Sequence, residues 1–326
     1  MPLPLDLCTK IKETLDSLKK KRDEFESILT EAQDTKDFTE ARSLKTEIET
    51  GMKDLEKLLG PEYAREIMGK ENVLGPEEVE KAFGIRAENV PPIPPSIIEW
   101  LSEADPEVIK GKQLVFYADK TNEGKPLTPL ELKKIFPDNK TSTNTTLFNN
   151  DWYDTNHGTK DEHPRLGWRL TDKEPLATSA SKNYLEQTEE LVKHLREEVF
   201  KNTEMPEEYQ EAIEEFEAEK ESLRPLVISS NESEWKPAAE KLAKLNEKFR
   251  ENYIEVLYRL ALHEKTTGQR LLDSQDRSIY YTWTTSRSAG GGLVLVGGFG
   301  AGGASVGGWG PGNARPFIGV SLSRSG

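Results

Sequence analysis

The sequence predicts an α+β protein. Long stretches before Gly268 repeat apolar residues at three- and four-residue spacing, the period of an amphipathic helix. After Gly268 the pattern changes to short aliphatic and aromatic runs set among glycines, which reads as β-rich. Fourteen of the 24 glycines lie between Gly290 and Gly326, and no Asp or Glu follows Asp276, although the chain carries a net charge of -14. A segment so unlike the rest points to a binding module and not to an enzyme.

At 326 residues the chain has room for one large domain or two ordinary ones. The acidic balance argues against nucleic acid as the main partner, because a phosphate backbone demands a clustered basic face. It argues equally against an anionic membrane surface. Cys8 is the only cysteine, so neither an intramolecular disulfide nor a cysteine metal site is expected. The first residues, Met-Pro-Leu-Pro-Leu-Asp-Leu-Cys, lack the basic start and apolar run of a signal peptide. No window approaches the ~18 apolar residues of a membrane span. The expectation is a soluble cytoplasmic protein, with export by an unusual route left open.

In order, residues 6–59 read as a helical hairpin. Ile11, Leu15, Leu18, Phe25 and Leu29 form an a/d seam on the first helix. Phe38, Ala41, Leu44, Ile48, Leu55 and Leu58 line the second, and Gly60-Pro61 stops it. So thin a hairpin must pack on the body, a second copy or a partner. Its segment Asp37-Phe-Thr-Glu-Ala-Arg-Ser-Leu-Lys-Thr-Glu-Ile48 resembles the UVR motif, through which bacterial excision-repair subunits meet. That resemblance implies a docking or oligomerisation hairpin, and a homo-oligomer or protein partner is expected there.

Pro76–Phe83 reads as a short helix ended by Gly84, and Val90-Pro-Pro-Ile-Pro-Pro95 as a stiff connector. Ser96 with Glu99 reads as the N-cap of the next helix. Gln113–Ala118 is a continuous apolar run, hence a buried strand. Thr128-Pro-Leu-Glu131 opens a helix to about Ile135, and residues 137–147 read as loop. Between Leu147 and Leu170, Asn150–Thr155 and His163–Leu170 suggest two strands. Helices follow from about Ser181 (Tyr184, Leu185, Leu191, Val192, Leu195 and Val199 on one face), from Pro206 to about Leu223, and from Trp235 to about Glu264. Ile254, Leu257, Tyr258, Ala261 and Leu262 on the last are apolar enough for core. Tyr280, Tyr281 and Trp283 open the β-rich end, with strands at Leu293–Val296 and Phe317–Leu322.

Catalytic chemistry is hard to find. His157, His163, His194 and His263 show no metal-binding spacing. Gly298, Gly300 and Gly303 fit G-x-G-x-x-G, but a dinucleotide site needs a helix after it, and Gly-Gly-Trp-Gly-Pro cannot form one. No catalytic residue, metal or cofactor is expected. A linker-like tail is the competing reading of so much glycine. Tyr280, Tyr281, Trp283, Phe299, Trp309 and Phe317 frame the tail and argue that it folds.

The frame Tyr281-Thr-Trp-Thr-Thr-Ser-Arg, then Gly303-Ala, Val306, Trp309 and Pro311, and finally Ile318-Gly-Val-Ser-Leu-Ser-Arg324, resembles the end of a C-type-lectin-like domain. The likeness is to the formylglycine-generating-enzyme branch and, more narrowly, to the variable proteins of diversity-generating retroelements. The resemblance implies a variable region over about residues 280–326, in which miscopied template adenines change exposed residues on a fixed backbone. Carried over, Trp283, Leu293, Val294, Gly297, Gly303, Ala304, Val306, Trp309, Pro311, Ile318, Gly319 and Arg324 are frame positions. Gly298, Gly300, Ala301, Gly302, Ser305, Gly307, Gly308, Gly310, Gly312, Asn313, Ala314, Arg315, Pro316 and Phe317 are display positions. Such faces usually hold Tyr, Asp, Asn or Ser, so this glycine-heavy copy departs from the pattern.

The implied architecture is a helical, coiled-coil-like hairpin over 1–60 and connector helices with a strand over 61–146. A C-type-lectin-like domain over 147–326 follows, with a helical insertion at about 181–265. The implied function is binding of a protein or carbohydrate ligand through a diversified C-terminal face. The alternative is an interaction protein working through its hairpin. The enzyme branch relies on active-site cysteines, which a chain holding only Cys8 does not match, and calcium-dependent sugar binding needs carboxylates that the tail lacks.

Overall fold

The computed structural model describes residues 5–35, 37–58, 60–137, 145–148, 161–201, 203–275 and 277–325. Helices and strands are mixed, as the α+β reading expects. The chain divides into two compact units, residues 1–73 with 92–110, and residues 74–91 with 111–326. The stretch 61–146, read from sequence as one connector, is thus shared between the two units.

The first unit contains the hairpin. Helices α1 (Leu5–Thr35) and α2 (Thr39–Leu58) run antiparallel, with Lys21 paired to Glu47 at 2.9 Å. The Asp37 carboxylate accepts from the backbone N and the hydroxyl of Thr39, starting α2 and holding the Asp37 pKa down. Gly51 has no Cβ, so Leu18 can settle against it. Burial is sparse. Ala32, Ala41 and Leu44 are buried, Leu18, Phe25, Leu29 and Ile48 are half-buried, and Leu15 (48%) and Met52 (52%) face solvent. The side chains of Ile11, Leu55 and Leu58 lie outside the described part.

Three short helices complete this unit: α3 (Pro61–Met68), α5 (Pro95–Glu103) and α6 (Pro106–Lys110). The expected cap at Ser96 is corrected. Pro94 is the N-cap, because Pro95 at the first helical position already has the required φ and lacks an N–H to satisfy. The two-residue strand β1 (Val73–Leu74) lies where the chain leaves this unit.

The larger unit begins with α4 (Pro76–Phe83) and strand β2 (Lys112–Tyr117), which is buried throughout. After α7 (Pro129–Ile135) comes β3 (Gly167–Asp172), antiparallel to β2 with Leu114 opposite Leu170. Of the two strands expected between Leu147 and Leu170, the one over Asn150–Thr155 lies outside the described residues. Thr128 precedes α7 as its N-cap but makes no side-chain cap hydrogen bond, so the capping box that Thr128 and Glu131 would make by their spacing is not formed.

Next come α8 (Tyr184–His194), running into a π-helical turn at Leu195–Val199, and α9 (Glu207–Val227). The expected third long helix is two helices, α10 (Glu232–Leu245) and α11 (Tyr253–Thr267). A capping box resets the chain at α11. The Asn252 side chain accepts from Glu255 N at 2.8 Å, and Glu255 accepts from Asn252 N at 2.9 Å.

Helix α11 is the centre of this unit: every residue from Tyr253 to His263 is buried. A helix buried on all sides needs partners for its polar groups. Burial pushes the Glu255 carboxyl up. Arg165, which hydrogen-bonds both its oxygens, and Arg169 outweigh that and hold its pKa down. Arg259 pairs with Glu251, which also accepts from the Tyr117 hydroxyl. Tyr258 packs edge-on against Phe83 at 4.6 Å.

The glycine-rich end folds as strands β4 (Tyr281–Arg287), β5 (Leu293–Gly300), β6 (Gly303–Trp309), β7 (Ile318–Gly319) and β8 (Ser323–Arg324). The first four of them form a sheet of order β6-β5-β4-β7, with β7 parallel to β4, and β8 joins the sheet of β2 and β3. The continuous strand expected at Phe317–Leu322 is corrected to two short ones. Val320–Leu322 leaves the second sheet, and Asp172 takes Leu322 as a partner through both backbone and side chain. That turn brings β8 against β3, with Leu170 opposite Arg324, so one segment ties the two sheets together.

Candidate ligand-binding face

Burial divides residues 283–324 sharply. Trp283, Leu293, Val294, Gly297, Gly303, Ala304, Val306, Pro311, Ile318, Gly319 and Arg324 are buried, and Trp309 is half-buried. Ala301, Gly302, Gly308, Ala314, Arg315 and Pro316 are exposed. Gly298, Gly300, Ser305, Gly307, Gly310, Gly312, Asn313 and Phe317 are half-buried. The strand period of two produces part of this pattern, since successive side chains point to opposite faces. Val306 goes inward on β6 while Ser305 and Gly307 do not.

The buried set does identifiable work. Trp283 packs edge-on against Tyr184 with ring centroids 5.9 Å apart. Gly303 holds φ +94°, and a Cβ there would lie 2.6 Å from Phe148 N, against the segment that bridges Leu147 to Ala304. Pro311 O accepts from Tyr184 N at 3.0 Å, and Arg315 O accepts from Ser181 N at 3.1 Å, so the start of α8 and the segment before it anchor the loop after β6.

The display positions are not equivalent. A Cβ at Gly307 would meet Leu295 at 3.8 Å, and one at Gly310 would meet Asn313 at 3.6 Å, both ordinary contacts. Two positions are different. Gly312 sits against the α9 terminus, where a Cβ would come within 2.6 Å of Val227 O. Gly298 has φ +56° and a Cβ site 2.6 Å from the Tyr281 hydroxyl. Side chains at these two positions require the backbone or Tyr281 to move, which corrects the expectation that they vary freely.

The display residues also do not form one cluster. Ala301 and Gly302 lie at the β5–β6 tip, about 20 Å along β6 from Trp309 at ~3.3 Å per residue. The structure instead gathers side chains that the sequence scatters. Phe317 stacks on Tyr280 with centroids 5.3 Å apart and planes 14° from parallel. It meets Tyr281 at 6.1 Å and Trp309 at 6.2 Å, both edge-on. The Arg315 guanidinium lies 5.9 Å from the Trp309 ring centroid. All four residues are half-buried, so together they form a partly exposed aromatic shelf.

From the sequence, Trp309 is a frame position, Phe317 a display position, and Tyr280 and Tyr281 open the β region and help to frame the tail, with nothing to join the four. The parallel pairing of β4 with β7, which sets Tyr281 beside Ile318, brings the rings together. Pairing of that kind leaves no local signal.

Charge on this face is one-sided. Arg277 pairs with Glu174, and Arg287 with Glu240 at 2.6 Å. Arg324 is buried, which lowers its pKa to about 10. Arg315 is exposed and has no carboxylate partner among the described residues.

The larger unit also holds an open cleft of about 910 Å³ between Gly84–Asn89 and Ala118–Gly124. Several of its polar groups satisfy one another. Arg86 pairs with Glu80, and Asn122 both accepts from Arg86 N and donates to Gly84 O. Among the described residues, no group of three His, Cys, Asp or Glu side chains could hold a metal ion, and no helix is long and apolar enough to cross a membrane. No protein-family model, curated protein or solved structure matches the chain.

Proposed function

We propose that this is a ligand-binding protein whose C-terminal face carries the binding positions, on a C-type-lectin-like body, and that a retroelement diversifies those positions. One observation carries the reading. None of the display positions is buried, whereas every frame position except Trp309 is. A surface that must change its side chains without losing its fold needs that separation, because core substitutions cost several times more than exposed ones. The return of β8 to β3 adds support, since it closes the body independently of the exposed loops.

The test is to sequence codons 275 to 326 from the native population. Substitutions clustered at Gly307, Gly308, Gly310 and Ala314, traceable to adenines in a nearby near-identical repeat and sparing Trp283 and Gly319, are the expected result. A uniform gene end without such a repeat overturns diversification.

A second reading rests on the hairpin, whose Leu15 and Met52 are about half exposed. If the hairpin is the working part, Leu15→Glu with Met52→Glu removes self-association measured by light scattering. If those changes leave the assembly state untouched, this reading fails.

A further inference from the structure

The side chains that give the C-terminal face its chemistry are four aromatic rings and one cation. Tyr280, Tyr281, Trp309 and Phe317 touch in a single cluster, each partly open, and Arg315 lies beside Trp309. Gly298 lies against the Tyr281 hydroxyl with no side chain of its own. Aromatic and arginine side chains dominate binding energy at protein interfaces. They bury large rigid areas at little entropic cost.

The charge of the face selects among partners. Residues 277–326 contain four arginines and no Asp, Glu or Lys. Three of those arginines are paired or buried, which leaves Arg315 for an incoming group. A free sugar is a poor fit. Its hydroxyls are held best by carboxylate and amide acceptors, and residues 277–326 contain no Asp or Glu and a single side-chain amide, Asn313. A carboxylate beside an apolar or aromatic side chain fits better. The carboxylate can take a forked pair of hydrogen bonds from Arg315, and the apolar group can lie on the rings.

We infer that the Tyr280–Tyr281–Trp309–Phe317 shelf and Arg315 bind a protein segment presenting an Asp or Glu next to an aromatic or large apolar residue. This rests on the reading of the C-terminal face as the binding surface, and it names the partner chemistry that this copy takes. The backbone of the loop is held at the Pro311 carbonyl by Tyr184 of α8 and at the Arg315 carbonyl by Ser181 in the segment before α8, so the guanidinium is carried on a fixed support.

The experiment selects a displayed random peptide library on the full chain, then measures the recovered peptides against Arg315→Glu, Arg315→Lys and Phe317→Ala. Circular dichroism checks that each variant folds. The expected peptides are enriched in Asp or Glu adjacent to Phe, Tyr, Trp or Leu. Their affinity falls about 10-fold or more with Arg315→Glu. Lysine, which lacks the fork, restores part of it. Raising the salt from about 0.05 to 0.5 M weakens binding several-fold.

Peptides that need Phe317 but show no acidic enrichment and ignore Arg315→Glu overturn this inference while leaving the face as the binding surface. Peptides indifferent to both Phe317→Ala and Arg315→Glu overturn the face reading as well. A library that yields no binder, while a neutral glycan array does, overturns the protein partner in favour of a carbohydrate. A chain that binds neither overturns it too.

Discussion

The guanidinium carbon of Arg250 lies 3.8 Å from the ring centroid of Tyr184, with both side chains wholly buried. Among the described residues no carboxylate pairs with this arginine, and burial lowers its pKa to about 10, so it remains charged at neutral pH. It donates to Asn246 Oδ1 at 2.9 Å, Thr188 Oγ1 at 3.0 Å and Tyr184 O at 3.1 Å. One side chain thus ties the break between α10 and α11 to the start of α8, which in turn holds the display loop through Pro311.

Arg250→Lys should therefore be costly. Lysine cannot make these three bonds from one plane, and it is less suited to stacking on a ring. Leaving buried acceptors unpaired costs about 1–3 kcal/mol each. The expected loss is about 3 kcal/mol in urea denaturation. A loss below ~0.5 kcal/mol would mean that the link between the helices is not made by this residue.

Glu162 and Ser286 give a pH dependence. The Ser286 hydroxyl donates to the Glu162 carboxylate and accepts from Tyr253 N at 2.9 Å. Burial raises the Glu162 pKa to about 7, with Glu255 adding to the rise and Ser286 and Arg165 opposing it. The folded state therefore holds this proton more tightly than the unfolded chain, whose carboxyl titrates near 4.5. The associated stability is complete below that value and is lost as pH rises from about 4.5 to 7. Glu162→Gln, which keeps a neutral side chain, should gain on the order of 2–3 kcal/mol over the native chain between pH 5 and pH 8. Parallel denaturation curves at the two pH values decide it, and a difference that does not change with pH refutes it.

His263 acts in the other direction. Gln113 meets its Nδ1 inside the unit, and burial, then Arg259, lowers its pKa to about 4. The unfolded chain takes up this proton near 6.5 and the folded one does not, so stability is lost as pH falls from about 6.5 to 4. His263→Gln should remove up to about 3 kcal/mol of that acid sensitivity. It should do so without altering the slope between pH 7 and 8. An unchanged acid midpoint would show that His263 is not the group responsible.

These residues show what local reading can reach. The period of α11 and its buried Leu257, Tyr258 and Ala261 follow from spacing, as do the apolar runs of β2 and β5. The box Asn252-Tyr-Ile-Glu255 was present in the sequence as a start signal. It was masked because apolar spacing continues through Asn246–Arg250, where Asn246 bonds back to Leu242 O and forward to Arg250 instead of extending the helix. The aromatic shelf was out of reach for a different reason. Tyr280 and Phe317 are brought together by a parallel strand pair, and parallel pairing follows from the path of the whole intervening chain. The glycines were the hardest of all. Gly307 and Gly312 read alike, and only the carbonyl of Val227 tells them apart.

That last difference yields the sharpest prediction for the face. Gly307→Tyr and Gly310→Tyr place a Cβ in ordinary contact distance, so each should change stability by less than about 1 kcal/mol. Gly312→Tyr drives a Cβ to 2.6 Å from Val227 O, on the backbone that ends α9, and should cost more than about 2 kcal/mol. Thermal denaturation of the three variants measures this directly. If the first two also unfold the chain, β6 and its loop need their glycines for packing, and a face that exchanges side chains freely is ruled out. If all three are tolerated, the loop lifts away from α9, and Gly312 joins the positions where a side chain can be displayed. The expected split would allow a side chain at Gly307 and Gly310 and exclude one at Gly312.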